Sequence, residues 1–221
     1  MRPNASRALD LLVASLVLAL AAPLLALAAI LIKLESRGPV FYRQRRVGQA
    51  GEPFELWKLR TMVPGAESMG AGIYVIEGDT RITRVGRLLR RFSLDELPNL
   101  VNVLRGELAI VGPRPTVQEQ VDRYTDRQRR RLEVRPGITG WAQINGRTSL
   151  PWPERIELDV WYVEHRSVKL DLRILTRTPR ALLGGAGSIA VDPYAGSSED
   201  SPLRRAAERE ESITRSGGEG D

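Results

Sequence analysis

Residues 11–32 form an unbroken run of 22 uncharged positions, almost all of them aliphatic. At about 1.5 Å of rise per residue, a helix of this length matches a hydrocarbon layer roughly 30 Å thick. A cleavable leader is the first alternative, because Arg2 and Arg7 give a basic start and alanines are plentiful. The length of the run and its direct continuation into Lys33, Leu34 and Glu35 argue against cleavage. Cations flank it on both sides, Arg2 and Arg7 before, and Lys33, Arg37, Arg43, Arg45 and Arg46 after. Such residues favour the cytoplasmic face. A straight span satisfies one flank, whereas a helix that enters and returns by the same face satisfies both. Pro23 lies near the middle, where it removes a backbone donor and crowds the preceding turn, so a bend is expected there. An ordinary kinked span is the competing arrangement.

The formal charge of +6 calls for an anionic partner: nucleic acid, lipid headgroups or a phosphorylated small molecule. Charge alone does not choose among them. With no cysteine, disulfides and thiolate chemistry are excluded, and a single histidine, His165, does not build a histidine zinc site or a catalytic triad. His165 is read as a surface helix residue without a catalytic role. Catalysis then rests on carboxylates, arginines and lysines.

Residues 40–61 read as a hairpin, two strand-like runs around the turn-rich stretch 48–53. Alternation puts Leu56, Lys58 and Arg60 on one face of the second strand. Residues 62–78 hold four glycines and a proline and read as loop; residues 79–104 return to helical character broken near Pro98. Residues 118–132 read as a charged surface helix. Residues 154–183 carry further helical pattern whose continuity Pro179 limits. The expected fold is α+β and helix-dominated, with an N-terminal re-entrant membrane helix (1–33), a catalytic domain (34–184) containing a small β-hairpin and amphipathic interfacial helices, and a disordered tail (185–221).

The most informative stretch, residues 86–115, reads GRLLRRFSLDELPNLVNVLRGELAIVGPRP. Ser93 and Glu96 fit a capping box, which would make Asp95 and Glu96 mere helix-start acids. Pro98 disfavours helix at Leu97, however, and places the two carboxylates at an irregular entry, open to a ligand. Consecutive helical residues do not face one another, so two separate roles fit better than a shared proton. Around them stand Arg81, Arg84, Arg87, Arg90, Arg91, Arg105 and Arg114, at spacings that place several near one face. Guanidinium groups grip phosphate through a two-pronged fork; a solvated basic face is the plainer explanation. Arg114 is harder to dismiss, because Gly112, Pro113 and Pro115 fix its backbone. Residues 135–147, RPGITGWAQINGR, mix close-approach glycines with Trp141, Gln143 and Asn145 and suit either a ligand wall or a turn-rich lid.

The ordered blocks RALDLL, KLESRGPVFYRQRRVG, WKLRTM, DTRITRVGRLLRRFSLDELPNLVNVLRGELAIVGPRP and RPGITGWAQINGR, spread over residues 7–183, resemble the monotopic polyprenyl-phosphate phosphoglycosyl transferases, the bacterial sugar transferase family. The resemblance implies a re-entrant helix broken at Pro23 and an enzyme of the bacterial inner (cytoplasmic) membrane with its catalytic domain on the cytoplasmic face. It implies that Asp95 attacks the sugar-side phosphate of a UDP-sugar, releases UMP and becomes a covalent phosphosugar ester, which undecaprenyl phosphate then displaces. By the same carry-over Glu96 helps hold Mg2+, and Lys58, Arg90 and Arg114 contact phosphates. The implied partners are the UDP-sugar, undecaprenyl phosphate, membrane lipid and downstream glycosyltransferases, with no nucleic acid. One departure is Ala22 before Pro23, where the family commonly has serine. With no further apolar span upstream, the chain is similar to the minimal members. A membrane-tethered nucleic-acid binder is the alternative that charge leaves open, although aromatics make up only 5% of the residues and no nucleic-acid-binding signature stands out.

Overall fold

A computed structural model describes residues 4–70, 72, 75, 76, 78–146 and 150–183. The expected tail lies outside the described residues. Helix α1, Asn4–Glu35, takes in the apolar run and continues through Pro23 as one helical element. Only 11% of its most apolar stretch is buried, and Leu12, Leu16, Leu20, Leu24, Leu27 and Ile30 are exposed. It is therefore not a core helix of a water-soluble protein.

Both ends of α1 are nevertheless tied to the same body. Near the start, Arg7 Nη1 donates to the Val103 carbonyl at 2.7 Å, the Asp10 carboxylate accepts from the Ile110 amide at 3.1 Å, and Ala14 enters the main core. At the far end, Glu35 accepts the amides of Arg84 and Val85 at 2.6 and 2.9 Å, and Arg60 donates to the carbonyls of Ser36 and Arg37, both at 2.8 Å. Three of these contacts match a helix terminus with its complementary charge. The Arg7 cation sits at carbonyls of the last turn of α3, the Glu35 anion at the start of α2, and the Arg60 cation just beyond the C-terminus of α1.

The hairpin forms as expected, β1 (Phe41–Val47) antiparallel to β2 (Pro53–Leu59), with Tyr42 opposite Lys58. Helix α2 (Arg84–Arg91) is capped by Thr83, whose hydroxyl accepts from Gly86. A 3-10 turn, Leu94–Glu96, leads to α3, Asn99–Arg105. Strand β3 (Ala109–Val111) pairs in parallel with β4 (Gly137–Thr139). Between them lie α4 (Gln118–Val121) and α5 (Asp126–Arg129), and after β4 come α6 (Trp141–Ile144), α7 (Trp152–His165) and α8 (Val168–Leu183). The main core packs Leu56, Leu100, Val103, Leu108, Val111, Tyr162 and Ile174 together; a second cluster joins Ala28 and Ile32 of α1 to Leu59 and Leu89.

Three expectations change. Ser93 adopts a left-handed backbone (φ 54°) and makes no capping bond, so the S-x-x-E pattern does not form a capping box and the two acids are released from that duty. Residues 118–132 are not one helix: Thr125 and Gln128 form a capping box that restarts the chain at α5, and a 3-10 turn, Arg130–Glu133, follows. The break turns Val121 and Tyr124 into a cluster with Val47, Ile156 and Val160. Pro179 does not interrupt α8; the break falls instead at residues 166–167, between α7 and α8.

The glycines of residues 112–140 serve backbone contact. A Cβ on Gly137 would stand 2.1 Å from the Gly112 nitrogen, and one on Gly140 would stand 2.1 Å from the Gly112 carbonyl oxygen. The two short strands can approach only because no side chain intervenes. Gly137→Ala is expected to cost about 1–3 kcal/mol through forced backbone displacement. Thermal unfolding in detergent checks this; an unchanged midpoint would rule out the contact.

Candidate active site

Asp95, Glu96, Lys58, Arg90 and Arg114 all line one cleft of about 690 Å3. Four different segments deliver them. Lys58 comes from β2, whose backbone is held by Asn102 of α3: the Asn102 side chain donates to the Glu55 carbonyl at 2.6 Å and accepts from the Trp57 amide at 3.1 Å. Arg90 comes from the last turn of α2 and is fixed by its Nε donating to Thr61 Oγ1 at 2.8 Å. Arg114 comes from the loop after β3, where buried Arg131 donates to its carbonyl at 2.9 Å. The carboxylates come from the 3-10 turn, whose Leu94 packs against the cluster containing Ala28 and Ile32 of α1. The site is therefore linked to the apolar helix through this cluster.

The two acids occupy opposite electrostatic states. Glu96 Oε1 accepts from Lys58 Nζ at 3.0 Å and from Arg114 Nη2 at 2.5 Å, and Arg114 Nη1 reaches Oε2 at 3.5 Å. Burial would raise its pKa, but the Arg114 and Lys58 charges and their hydrogen bonds overrule it and hold the carboxyl well below its usual range. Asp95 is 9% exposed and forms no salt bridge among the described residues. Burial, then the neighbouring Glu96 charge, push its pKa up, with Lys58 and Arg90 only partly opposing. Burial also lowers the Lys58 ammonium, against the pull of Glu96. Neighbouring acids with divergent environments carry divergent roles.

The remaining arginines of the expected basic face do not join the cleft. Arg81 is buried on Asp79, with its Nη1 donating to the carbonyls of Ala66, Met69 and Gly72 at 2.7–2.8 Å, and so fixes the loop of residues 62–78. Arg84, Arg87 and Arg91 are exposed on α2, and Arg105 lies over the Trp57 ring. Arg60, expected to share a face with Lys58, also borders the cleft but commits both Nη atoms to the end of α1. His165 is exposed and stacks on Trp161 at 4.4 Å. Pro23 lies within α1, away from these contacts.

Sequence reasoning missed Asn102, Thr61 and the buried pair Arg131–Asp159 (2.5 Å), which also borders the cleft. Burial pushes Asp159 up to about 6 against the Arg131 charge. The signal was present: an acid standing among Ile156, Val160 and Val163 on the apolar face of α7 needs a partner.

A family model described as bacterial sugar transferase matches residues 1–185. The chain belongs to the bacterial sugar transferase family. It is 45% identical over 181 residues to the uncharacterized sugar transferase EpsL of Bacillus subtilis, covering 82% of this chain and 88% of that one. It is 46% identical to the UDP-glucose:undecaprenyl-phosphate glucose-1-phosphate transferase of Caulobacter vibrioides, over 80% of this chain and 69% of that protein. With the UDP-N-acetylgalactosamine-undecaprenyl-phosphate N-acetylgalactosaminephosphotransferase of Aeromonas hydrophila it shares 40% identity over 82% of its own length, but spans only 44% of that relative. The nucleic-acid reading finds no support in these relatives.

The divergence of the two acids has a measurable consequence. A raised folded-state pKa at Asp95 favours its protonated form, so its contribution to stability is full in acid and is lost as pH rises through the folded value. Glu96 is the reverse: its contribution is present above the unfolded value and lost as pH falls through the depressed one. At pH 7, Asp95→Asn is expected to raise the melting temperature and Glu96→Gln to lower it, both differences shrinking toward pH 3. Melting curves across that range check the signs, and equal shifts at Asp95 and Glu96 would refute the assignment.

Proposed function

We propose that this protein transfers a sugar 1-phosphate from a UDP-sugar to undecaprenyl phosphate through a covalent intermediate on Asp95. The observation that carries the reading is the contrast inside one cleft: a buried carboxylate without a salt bridge beside another that anchors two cations. A carboxylate stripped of water and of a committed counter-ion is the reactive one of the pair. In the first step an Asp95 oxygen forms a bond to the sugar-side phosphorus and the bridging P–O bond breaks, its electron pair leaving with UMP. In the second, an oxygen of the polyprenyl phosphate attacks the same phosphorus and Asp95 departs as carboxylate. The names of the Caulobacter and Aeromonas relatives supply the substrate classes.

Lys58 and Arg114 hold the diphosphate, moving part of their hydrogen bonding from Glu96 to phosphate oxygens. Arg90 faces the negative charge carried by the non-bridging oxygens of the attacked phosphate. Glu96 keeps both cations in place between turnovers. The donor set fits magnesium, because Glu96 offers hard carboxylate oxygens that would hold it beside a diphosphate. Glu96 accepts three hydrogen bonds of the roughly four a carboxylate can take, leaving one position. No group of three acidic or imidazole side chains forms a protein-only cage among the described residues. When bound, the ion would neutralise the repulsion between attacking carboxylate and diphosphate.

The two anchored ends of α1 support a re-entrant placement. Arg7 and Glu35 are 28 positions apart, and both attach to one body. A simple span would put a membrane between them, whereas entry and exit by one face lets both contacts form. That face is the cytoplasmic one by the flanking cations, where UDP-sugars and downstream glycosyltransferases meet the product.

With purified protein and a radiolabelled UDP-sugar, UMP release and a labelled protein adduct are expected before any acceptor is added. Asp95→Asn is expected to abolish both, Arg114→Ala to reduce turnover by 100-fold or more on the order of a lost phosphate-binding donor, and chelation of divalent cations to stop the reaction. An active Asp95→Asn protein would exclude the covalent route.

A further inference from the structure

The wall of the cleft built by α6 and α7 takes no part in the phosphate chemistry, yet it holds unpaired polar atoms. Gln143 borders the cleft, and neither its Oε1 nor its Nε2 finds a hydrogen-bond partner, although both atoms are shut off from water. Asp159, on α7, is 2% exposed and also borders the cleft; it commits Oδ2 to Arg131 and leaves Oδ1 buried and unpartnered. Among the described residues, three of the six such side-chain atoms therefore fall on these two residues. Native proteins leave few buried polar atoms unmatched, and each one asks for an explanation. Tertiary packing offers none here, since α6 packs on α7 and α8 without satisfying them.

The chemistry of the three atoms is selective. A carboxamide presents an acceptor and a donor in one plane, the complement of an imide edge with its carbonyl and N–H. A carboxylate oxygen accepts from a hydroxyl, as acidic side chains do with ribose in nucleotide-binding folds. Trp152, which also borders the cleft, lies under two guanidinium groups, Arg131 at 5.6 Å and Arg155 at 5.8 Å, so this wall includes a flat, cation-covered ring. The wall is also wired to the phosphate site: Asp159 holds Arg131, Arg131 holds the Arg114 carbonyl, and the Arg114 guanidinium holds Glu96.

We infer that the α6–α7 wall is the nucleoside subsite of the cleft, with Gln143 pairing to the imide edge of a pyrimidine and Asp159 Oδ1 accepting a ribose hydroxyl. This rests on the reading of the donor as a UDP-sugar. On binding, small rotations of the two side chains toward the ligand satisfy all three atoms. Arg114 then lies between nucleoside and reacting carboxylate, which orders the ligand as base, ribose, diphosphate, sugar along the cleft.

The test is calorimetric titration of the full chain in nanodiscs with UDP, with a UDP-sugar and with inorganic pyrophosphate. Gln143→Leu is expected to weaken UDP by about tenfold or more, the scale of one or two lost hydrogen bonds, and to leave pyrophosphate unchanged. The wild-type preference for UDP over its 3′-deoxy or 2′-deoxy analogue is expected to disappear in Asp159→Ala. Because Asp159 also pairs with Arg131, Gln143→Leu, which breaks no hydrogen bond in the folded chain, is the variant that separates binding from folding. UDP affinity untouched in both variants overturns the subsite alone. UDP untouched with UDP-sugar weakened also overturns it and assigns the wall to the transferred sugar. Wild-type protein that binds neither UDP nor pyrophosphate and releases no UMP overturns the donor reading itself.

Discussion

Three segments distant in the chain, strand β2, the 3-10 turn after α2 and the loop after β3, meet at the carboxylate of Glu96. Lys58 and Arg114 would repel each other across a largely buried cleft if that charge were removed, and Glu96 would be costly to bury without them. The triangle therefore fixes both the position of the cations and the ionisation of the acid. It also sets the state of the neighbour. With the two cations drawn toward Glu96, Asp95 is left with burial and a like charge as its dominant influences. The reactivity assigned to Asp95 is thus created by a hydrogen-bond arrangement that Asp95 does not itself join.

Much of this was legible in the sequence, and the reason is local. The hairpin was marked by turn residues at 48–53, the long helix by an uninterrupted apolar run, and the convergence of Asp95, Glu96, Lys58, Arg90 and Arg114 by family blocks that keep fixed order. The failures are equally instructive. Arg81 looked like one more phosphate ligand by spacing, but a charge pattern does not say which guanidinium will be buried against carbonyls. Ser93 and Glu96 had the right letters for a cap, yet the left-handed backbone at Ser93 forms none and Glu96 binds Lys58 and Arg114 instead. Residues 118–132 had helical composition throughout. Tertiary demand for Tyr124 and Arg131 in the interior bent the chain there, and no window of local propensity encodes that demand.

The apolar helix is secured with most of its large apolar side chains left exposed. Its anchors are polar and sit at helix ends: Arg7 on the carbonyls closing α3, Glu35 on the amides opening α2, Arg60 on the carbonyls that follow α1. Terminal backbone groups have no partners within their own helix, so such contacts satisfy a need on each side. The result is a helix whose exposed leucines make no core contact while its geometry relative to the candidate site is set elsewhere. The packing of Leu94 against the α1 cluster carries that geometry to within one residue of Asp95.

Arg81 holds the loop of residues 62–78 through main-chain oxygens, among them those of Ala66, Met69 and Gly72. Every amino acid offers the same carbonyl, so the clasp is indifferent to which side chains the loop displays. The loop supplies part of the cleft's rim, including Glu67 and Ser68. A border fastened in this manner can exchange its outward-facing groups over evolutionary time without loosening, and a lineage can retune what the enclosure accepts while the reacting machinery beneath it stays as it was.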